Sequence, residues 1–175
     1  VNLLEDLDSI AQLESGEIVL DLKRFDLLEL AQELLQTLEI KAKRRNIRLK
    51  FNQKYEKAIP VIADRNKIAQ VVTNLLVNSI NYGKENGETE IRFFDLDEHI
   101  LIEIADNGLG ISEEFLPRIF ERFYRVDKSR NRHAGGSGLG LAICKHIVDA
   151  HKETINVRST VDVGSTFSIT LKKHK

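Results

Sequence analysis

Four segments of the chain place apolar residues at the spacing of one helix face. Gly16 closes the first segment, and glycine just after a last turn is a common helix stop. Asp26 opens the second segment and has Glu29 three residues later, as in a capping box. The pattern predicts helices over residues 1–15, 26–45, 64–82 and 139–150.

Alternation of apolar and polar residues indicates the strands. Residues 17–25 are extended in character, and period-2 alternation follows in 91–93, 100–104, 155–157 and 167–171. Strands that alternate cleanly are buried on one face, which is typical of antiparallel or mixed sheets with helices on a single side. The expected fold class is therefore α/β: a two-layer sandwich with a mixed, mostly antiparallel sheet and helices on one face.

Two segments between these elements are less regular. A short helical region that contains Pro117 is expected after Ser112. Residues 127–136 are polar, basic and without periodicity, which predicts a mobile loop.

Composition and charge indicate one main globular domain. The 175 residues are 42% hydrophobic, and 26 Lys and Arg balance 27 Asp and Glu. A net charge of −1 creates no broad positive field that would attract a polyanion, so no nucleic-acid partner is expected. The basic cluster in residues 41–48 is interpreted as a solvated helix end, with a phosphate surface as the alternative.

The cysteine count and the hydropathy bear on the compartment. Cys144 is the single cysteine, which excludes an internal disulfide and favours a reducing, cytoplasmic location. No apolar run approaches the roughly 20 residues that cross a bilayer. Because residue 1 is Val and the sequence contains no Met, we expect this chain to be a fragment of a longer protein.

A glycine-rich run follows the predicted strand 100–104, with the sequence Asp106-Asn107-Gly108-Leu109-Gly110-Ile111. An Asp at a strand end is a fixed acceptor, and glycines let a flat ligand approach the backbone closely. An Asn-Gly turn leading into a helix explains the same residues, so both interpretations stay open.

A second glycine cluster leads directly into the predicted helix 139–150, with the sequence Gly135-Gly136-Ser137-Gly138-Leu139-Gly140. Glycines before a helix let successive N–H groups converge on an anion, and the helix terminus adds partial positive charge. The cluster is neither a Walker motif nor a Rossmann fingerprint, because the following residues and the glycine spacing differ. It predicts a phosphate cradle, with a flexible hinge as the alternative.

A polar stripe with Asn74, Asn78 and Asn81 lies beside the apolar face of the predicted helix 64–82. Amide oxygens suit a Mg²⁺ ion that also takes phosphate oxygens. Solvent-facing asparagines without any task are the alternative.

The order of these features strongly resembles the ATP-binding catalytic domain of bacterial sensor histidine kinases, which has the Bergerat fold. The resemblance implies a catalytic domain over residues 17–175, and it relates 1–16 to the C-terminal end of the family's dimerisation hairpin. The N box, first glycine box, F box, second glycine box and last glycine box of the family resemble residues 64–82, 106–111, 115–125, 136–140 and 164–167.

The resemblance implies that ATP and Mg²⁺ bind and gives individual residues a role. Asp106 would accept a hydrogen bond from the adenine amino group, where guanine presents a carbonyl. Asn78 would hold Mg²⁺, with Asn74 as a second polar contact to the metal, and Arg125 would approach the terminal phosphate in catalysis. The remaining nucleotide contacts implied are Tyr82, Gly108, Gly110, Ile111, Phe123, Gly136, Gly138, Leu139, Gly140 and Thr166.

The position of Asn74 bears on the reaction. ATP-hydrolysing members of this fold carry a Glu four residues before the Mg²⁺ Asn, and an Asn cannot act as a general base for water. The implied reaction is therefore phosphoryl transfer by a histidine kinase, with Asn74 and Arg125 as its catalytic residues. The acceptor would be a His on an upstream dimerisation domain, for relay to a response regulator. The five His of this chain do not lie in the family's acceptor pattern, so the fragment alone is expected to be inactive.

The resemblance also implies a homodimeric full-length protein, anchored in the inner membrane, with this domain in the cytoplasm. The family often has Lys where Asn81 stands, and Lys128, Arg130 or Arg132 could substitute for it. Two other functions stay open: a nucleotide-binding regulatory module without transferase activity, and a serine kinase of the anti-sigma type.

Overall fold

The computed structural model describes residues 3–126 and 139–175. Its helices are α1 (Leu3–Ser15), α2 (Leu27–Arg44), α3 (Arg65–Asn81) and α4 (Gly140–Ala150), with a short 3₁₀ helix at Leu116–Arg118. Its strands are β1 (Lys23–Asp26), β2 (Arg48–Phe51), β3 (Pro60–Ala63), β4 (Glu88–Asp95), β5 (His99–Asp106), β6 (Ile155–Thr160) and β7 (Gly164–Lys173). Within the described ranges, no helix combines the length and the apolar character needed to cross a membrane.

The described strands form a single sheet in the order β1-β3-β7-β5-β4-β2, and β6 also pairs with β7. The β2–β4 pair is parallel, and the other pairs are antiparallel. The sheet is therefore mixed and mostly antiparallel, which confirms the predicted fold class.

The two faces of the sheet differ in chemistry. On one face, the isoleucines of β5 lie opposite Leu171, Ile169 and Phe167 of β7, and these side chains join the helices in one hydrophobic core. On the other face, Glu103 is only 5% exposed because Arg92 and Arg158 cover it at 3.6 and 3.1 Å. The helices pack against the apolar face, as the alternation predicts.

The predicted helices are confirmed to within a residue or two at their ends. Asp26 caps α2 by accepting a hydrogen bond from the N–H of Leu28, and the same oxygen also accepts from the N–H of Ile59, before β3. Strands β2 and β3 were not predicted, since β2 is a four-residue edge strand among charged residues and β3 begins with Pro60. The expected loop at 127–136 lies outside the described residues.

Candidate nucleotide site

A cavity of about 240 Å³ lies between the C-terminal half of α3, the end of β5 and the start of α4. Residues far apart in sequence line it together, which is how a fold assembles a ligand site. Six of the residues singled out in the sequence are among them: Asn78, Tyr82, Asp106, Gly110, Ile111 and Arg125.

Asp106 ends β5 and is anchored through one carboxylate oxygen. Its Oδ1 accepts hydrogen bonds from the backbone N–H of Gly108 at 2.9 Å and of Ser165 at 3.2 Å. Oδ2 receives no hydrogen bond from the residues that the structure describes. Burial raises the pKa of this carboxyl above its ordinary value, although the two backbone hydrogen bonds act to lower it. The side chain is thus held rigidly while one acceptor oxygen stays available.

The rotation of α3 is fixed on its core side. Ser79 Oγ donates to the carbonyl of Leu76 at 2.7 Å and accepts from Thr89 Oγ1 at 3.0 Å, and both hydroxyl-bearing residues are buried. Because Ser79 is held against β4, the neighbouring Asn78 faces the cavity.

The C-terminal end of α3 is held by Arg45, which follows α2. Its guanidinium donates to the carbonyls of Asn81 and Gly83, each at 3.0 Å. Tyr82, between these two residues, lines the cavity and accepts a hydrogen bond from the N–H of Leu109. In the basic cluster 41–48, Arg45 is therefore a structural clamp beside the site, and a cation at a helix C-terminus is also favourable to the dipole.

The first glycine run is required by backbone packing. A Cβ on Gly110 would lie 2.1 Å from the carbonyl oxygen of Thr160, and its φ of +73° favours glycine. A Cβ on Gly108 would lie 2.5 Å from the carbonyl oxygen of Tyr82. Gly108 thus supports the cavity from behind, whereas Gly110 also lines it.

Asn74 and Phe123 are among the predicted contacts that the cavity lining does not include. Asn74 turns towards α4, where its Nδ2 donates to the carbonyl of Gly140 at 3.4 Å. Phe123 is 56% exposed and has a φ of +63°, while its neighbour Tyr124 lines the cavity. Neither of these two residues lines the cavity in this structure.

The last glycine box contributes Ser165 in place of Thr166. Successive residues of a strand point to opposite faces. Ser165 pairs with Ser159 and lines the cavity, whereas Thr166 pairs with Ala105 on the opposite face of the sheet. Of these two residues, Ser165 therefore lies at the cavity and Thr166 lies on the other face of the sheet.

The second glycine box is described only in part. Leu139 is 2% exposed and belongs to the hydrophobic core, and Gly140 begins α4 with open space around the position of a Cβ. Gly136 and Gly138 lie outside the described residues, as do the basic residues 128, 130 and 132.

Most of the apolar wall of the cavity was not predicted from the sequence. One of these residues, Tyr124, is held by a cation–π contact, because the Arg118 guanidinium lies 4.5 Å from its ring centroid. Arg118 in turn pairs with Glu121 at 2.7 Å. The aromatic F box was the available signal for it. The other missed lining residues are Leu109, Ile119, Val126, Leu141 and Ser165.

Comparison with known proteins identifies the family of this chain. Residues 63–175 match the family of histidine kinase-, DNA gyrase B- and HSP90-like ATPases. The chain belongs to this family, and membership implies ATP binding.

The relatives are sensor histidine kinases. The chain is 32% identical over 170 residues to the circadian input-output histidine kinase CikA of Synechococcus elongatus, which covers 97% of this chain and 22% of that protein. It is 35% identical over 153 residues to the signal transduction histidine-protein kinase BaeS of Escherichia coli, which covers 87% of this chain and 32% of that protein. This chain thus spans between about a fifth and a third of the length of these relatives.

The fold is also that of a solved histidine kinase domain. The catalytic domain of histidine kinase ThkA superposes with a TM-score of 0.76 at 30% identity, covering 88% of this chain and 97% of that domain. ThkA has also been solved in complex with the response regulator protein TrrA, where 31% identity covers 98% of this chain and 48% of that one. The resemblance to histidine kinase catalytic domains is confirmed.

Proposed function

We propose that this chain is the kinase domain of a two-component sensor histidine kinase. It binds Mg-ATP and transfers the γ-phosphoryl group to a His on a dimerisation domain, from which a response regulator takes it. The observation that carries this proposal is that Asp106, Asn78 and Arg125, from three separate segments, line one cavity.

The purine end of the cavity is assigned to Asp106. Its available Oδ2 accepts from the 6-amino group of adenine, and a 6-oxo group would face it as a second acceptor without a hydrogen between them. A buried acceptor left without a donor costs roughly 1–3 kcal/mol, so adenine is preferred to guanine or hypoxanthine.

The phosphate end is assigned to Asn78 and Arg125. Within the described residues, no group of three or more His, Cys, Asp or Glu could hold a metal ion. Mg²⁺ keeps several waters and often uses few protein ligands together with substrate phosphates, so the Asn78 amide oxygen fits this ion. When bound, the ion neutralises phosphate charge. Arg125 adds a cation at the same cavity, whereas Asn74 is not among the residues that line it.

Transfer is favoured over hydrolysis by the chemistry of the lining. Asp106 is the one carboxylate among the described lining residues, and its position at the purine end leaves it no role as a base for water. Because Asn74 contacts the backbone of α4, it positions that helix instead of activating a nucleophile.

Residues 1–16 are proposed to be the end of the dimerisation helix, and residues 17–175 the catalytic domain. Arg122 of the F box donates to Glu14 Oε1 and to the carbonyl of Leu13, both at 3.1 Å, which ties α1 to the catalytic domain. We further propose that the full-length protein is a membrane-anchored homodimer with this domain in the cytoplasm. Its partner would be a response regulator, the kind of protein with which ThkA was solved.

The test mixes this chain with a separate dimerisation domain from BaeS, radiolabelled ATP and Mg²⁺. We expect acid-labile label on the dimerisation domain, and none when its acceptor His is replaced by Ala or when the chain carries Asn78→Ala. Normal binding of Mg-ATP without transfer to this or any related dimerisation domain would instead identify a regulatory module. Acid-stable label on a serine would identify a serine kinase.

A further inference from the structure

Ser159 on β6 is the centre of a hydrogen-bond network that joins three backbone segments. Its Oγ accepts from the N–H of Ile111 at 2.7 Å and donates to the carbonyl of Gly164 at 3.1 Å. The same Oγ lies 2.7 Å from Ser165 Oγ. The network therefore connects the loop after β5 with the start of β7, the two segments that flank Asp106.

The number of hydrogens in this network determines which hydroxyl donates and which accepts. A hydroxyl carries one hydrogen, and a carbonyl oxygen can only accept. Since Ser159 donates to Gly164, the bond between the two serines must use the hydrogen of Ser165. Ser165 Oγ is then left with acceptor lone pairs alone.

Ser165 and Asp106 lie side by side in the cavity lining. Ser165 is 7% exposed, and its N–H donates to Asp106 Oδ1 at 3.2 Å. The start of β7 is pressed against the end of β5, because a Cβ on Gly164 would lie only 2.0 Å from the carbonyl oxygen of Asp106. The distance between the two side chains is therefore fixed by backbone packing.

We propose that Ser159 is a positioning residue for nucleotide specificity. By taking the hydrogen of Ser165, Ser159 prevents Ser165 from donating, so the purine end presents acceptors alone, Ser165 Oγ and Asp106 Oδ2. An exocyclic amine has two hydrogens for them, donated directly or through one bound water, whereas a 6-oxo group has none. This inference rests on the proposed function, since it concerns how the same site selects ATP.

The test is calorimetric titration of the 175-residue chain with three triphosphates in magnesium buffer. ATP carries the 6-amino group, ITP carries a 6-oxo group, and purine riboside triphosphate carries no 6-substituent. We expect Ser159→Ala to leave ATP affinity within about twofold, because Ser165 keeps its acceptor lone pairs for the amine. The unsubstituted analogue should also stay within about twofold, whereas ITP should bind about fivefold more tightly, the effect of one net hydrogen bond, because Ser165 can now donate to the 6-oxo group.

Two control variants separate specificity from structure. Ser159→Thr keeps the hydroxyl and should retain most of the preference for ATP over ITP. Ser168→Ala removes a buried hydroxyl from the same strand β7, on the face opposite Ser165, and should leave all three affinities unchanged. If Ser159→Ala does not fold, Ser165→Ala removes the acceptor itself and should selectively weaken ATP about fivefold.

Two results would overturn the inference alone. Equal weakening of ATP and the unsubstituted analogue would show that Ser159 only holds the loop in place. An unchanged ITP affinity in Ser159→Ala would show that Ser165 does not face the 6-position of the purine. If the unmodified chain binds none of the three triphosphates, the proposed function fails together with the inference.

Discussion

Replacing Asp106 by Asn changes the chemistry at the purine end of the cavity and leaves its shape intact. The Asn Oδ1 can still accept from the N–H groups of Gly108 and Ser165, which anchor the present carboxylate. An NH₂ group then takes the place of Oδ2. The variant therefore presents a donor where the present chain presents an acceptor.

The expected change in specificity follows from this exchange of one atom. A hydrogen bond to a charged acceptor contributes about 1.5–3 kcal/mol, so ATP affinity should fall by roughly 10- to 100-fold in Asp106→Asn. The 6-oxo group of ITP gains a neutral hydrogen bond of about 1 kcal/mol, or roughly fivefold in affinity. The ratio of ATP to ITP affinity should thus fall by about 50- to 500-fold.

The same substitution should stabilise the ligand-free protein near neutral pH. Burial raises the folded-state pKa of Asp106 above its unfolded value, so ionisation of this carboxyl costs folding free energy. That cost is absent below the unfolded pKa and grows as the pH rises through the folded pKa. Asp106→Asn should therefore gain free energy of unfolding over the present chain between about pH 4 and pH 7.

Calorimetric titration and urea unfolding at several pH values check the two effects separately. A loss of ATP and ITP affinity by the same factor would show that Asp106 does not read the 6-position. A variant that is less stable at pH 7 than the present chain would show that the carboxylate is stabilised by more than the two backbone hydrogen bonds. Either result would refute the corresponding part of the reasoning.

Further predictions concern backbone contacts and burial. Gly110→Ala should lower the free energy of unfolding by about 3 kcal/mol, because the added Cβ clashes with the backbone and φ is positive. Gly16 also has a positive φ but has open space around it, so Gly16→Ala should lower the free energy of unfolding by only about 1 kcal/mol. Equal losses for the two variants in urea unfolding would contradict this. Gly140→Ala should stabilise the apo protein by about 0.5–1 kcal/mol, since α4 has room for a Cβ, and a lower thermal midpoint would be evidence against it. Arg45→Ala should lower the free energy of unfolding by about 1 kcal/mol. Arg45→Lys should restore only part of this loss, because an ammonium lacks the planar fork that reaches two carbonyls. Full recovery by Lys would show that the two hydrogen bonds of Arg45 do not hold the end of α3. Burial raises the pKa of Cys144 to about 12, so thiol reagents should label it only after unfolding, and rapid labelling of the native protein would show otherwise.

The helices and the central strands could be predicted from sequence because their apolar stripes repeat with a clear period. Strands β2 and β3 could not, since four residues at a charged edge or after Pro60 carry too little pattern. The fold class needed only the alternating strands, and so it was predictable without these two strands.

The site was predictable where the family pattern fixes one residue, as at Asp106 and Asn78. The site was less predictable where the direction of a side chain decides the role of the residue. Phe167 belongs to the core, so Ser165, two residues earlier, lies on the same face of the sheet, and this parity would have placed Thr166 on the opposite face. The direction of Asn74 depends on the packing of α4, which no local pattern reveals.

The close backbone contacts of Gly108, Gly110 and Gly164 have a consequence for recognising inactive relatives. Each of these glycines is needed to let one part of the main chain touch another, whether or not a nucleotide is present. A pseudokinase that had lost ATP binding would still keep them in order to fold. Retention of these glycines therefore indicates that the fold is kept, and not that nucleotide binding is kept. Loss of activity should be sought first at the side chains of Asp106, Asn78 and Ser165.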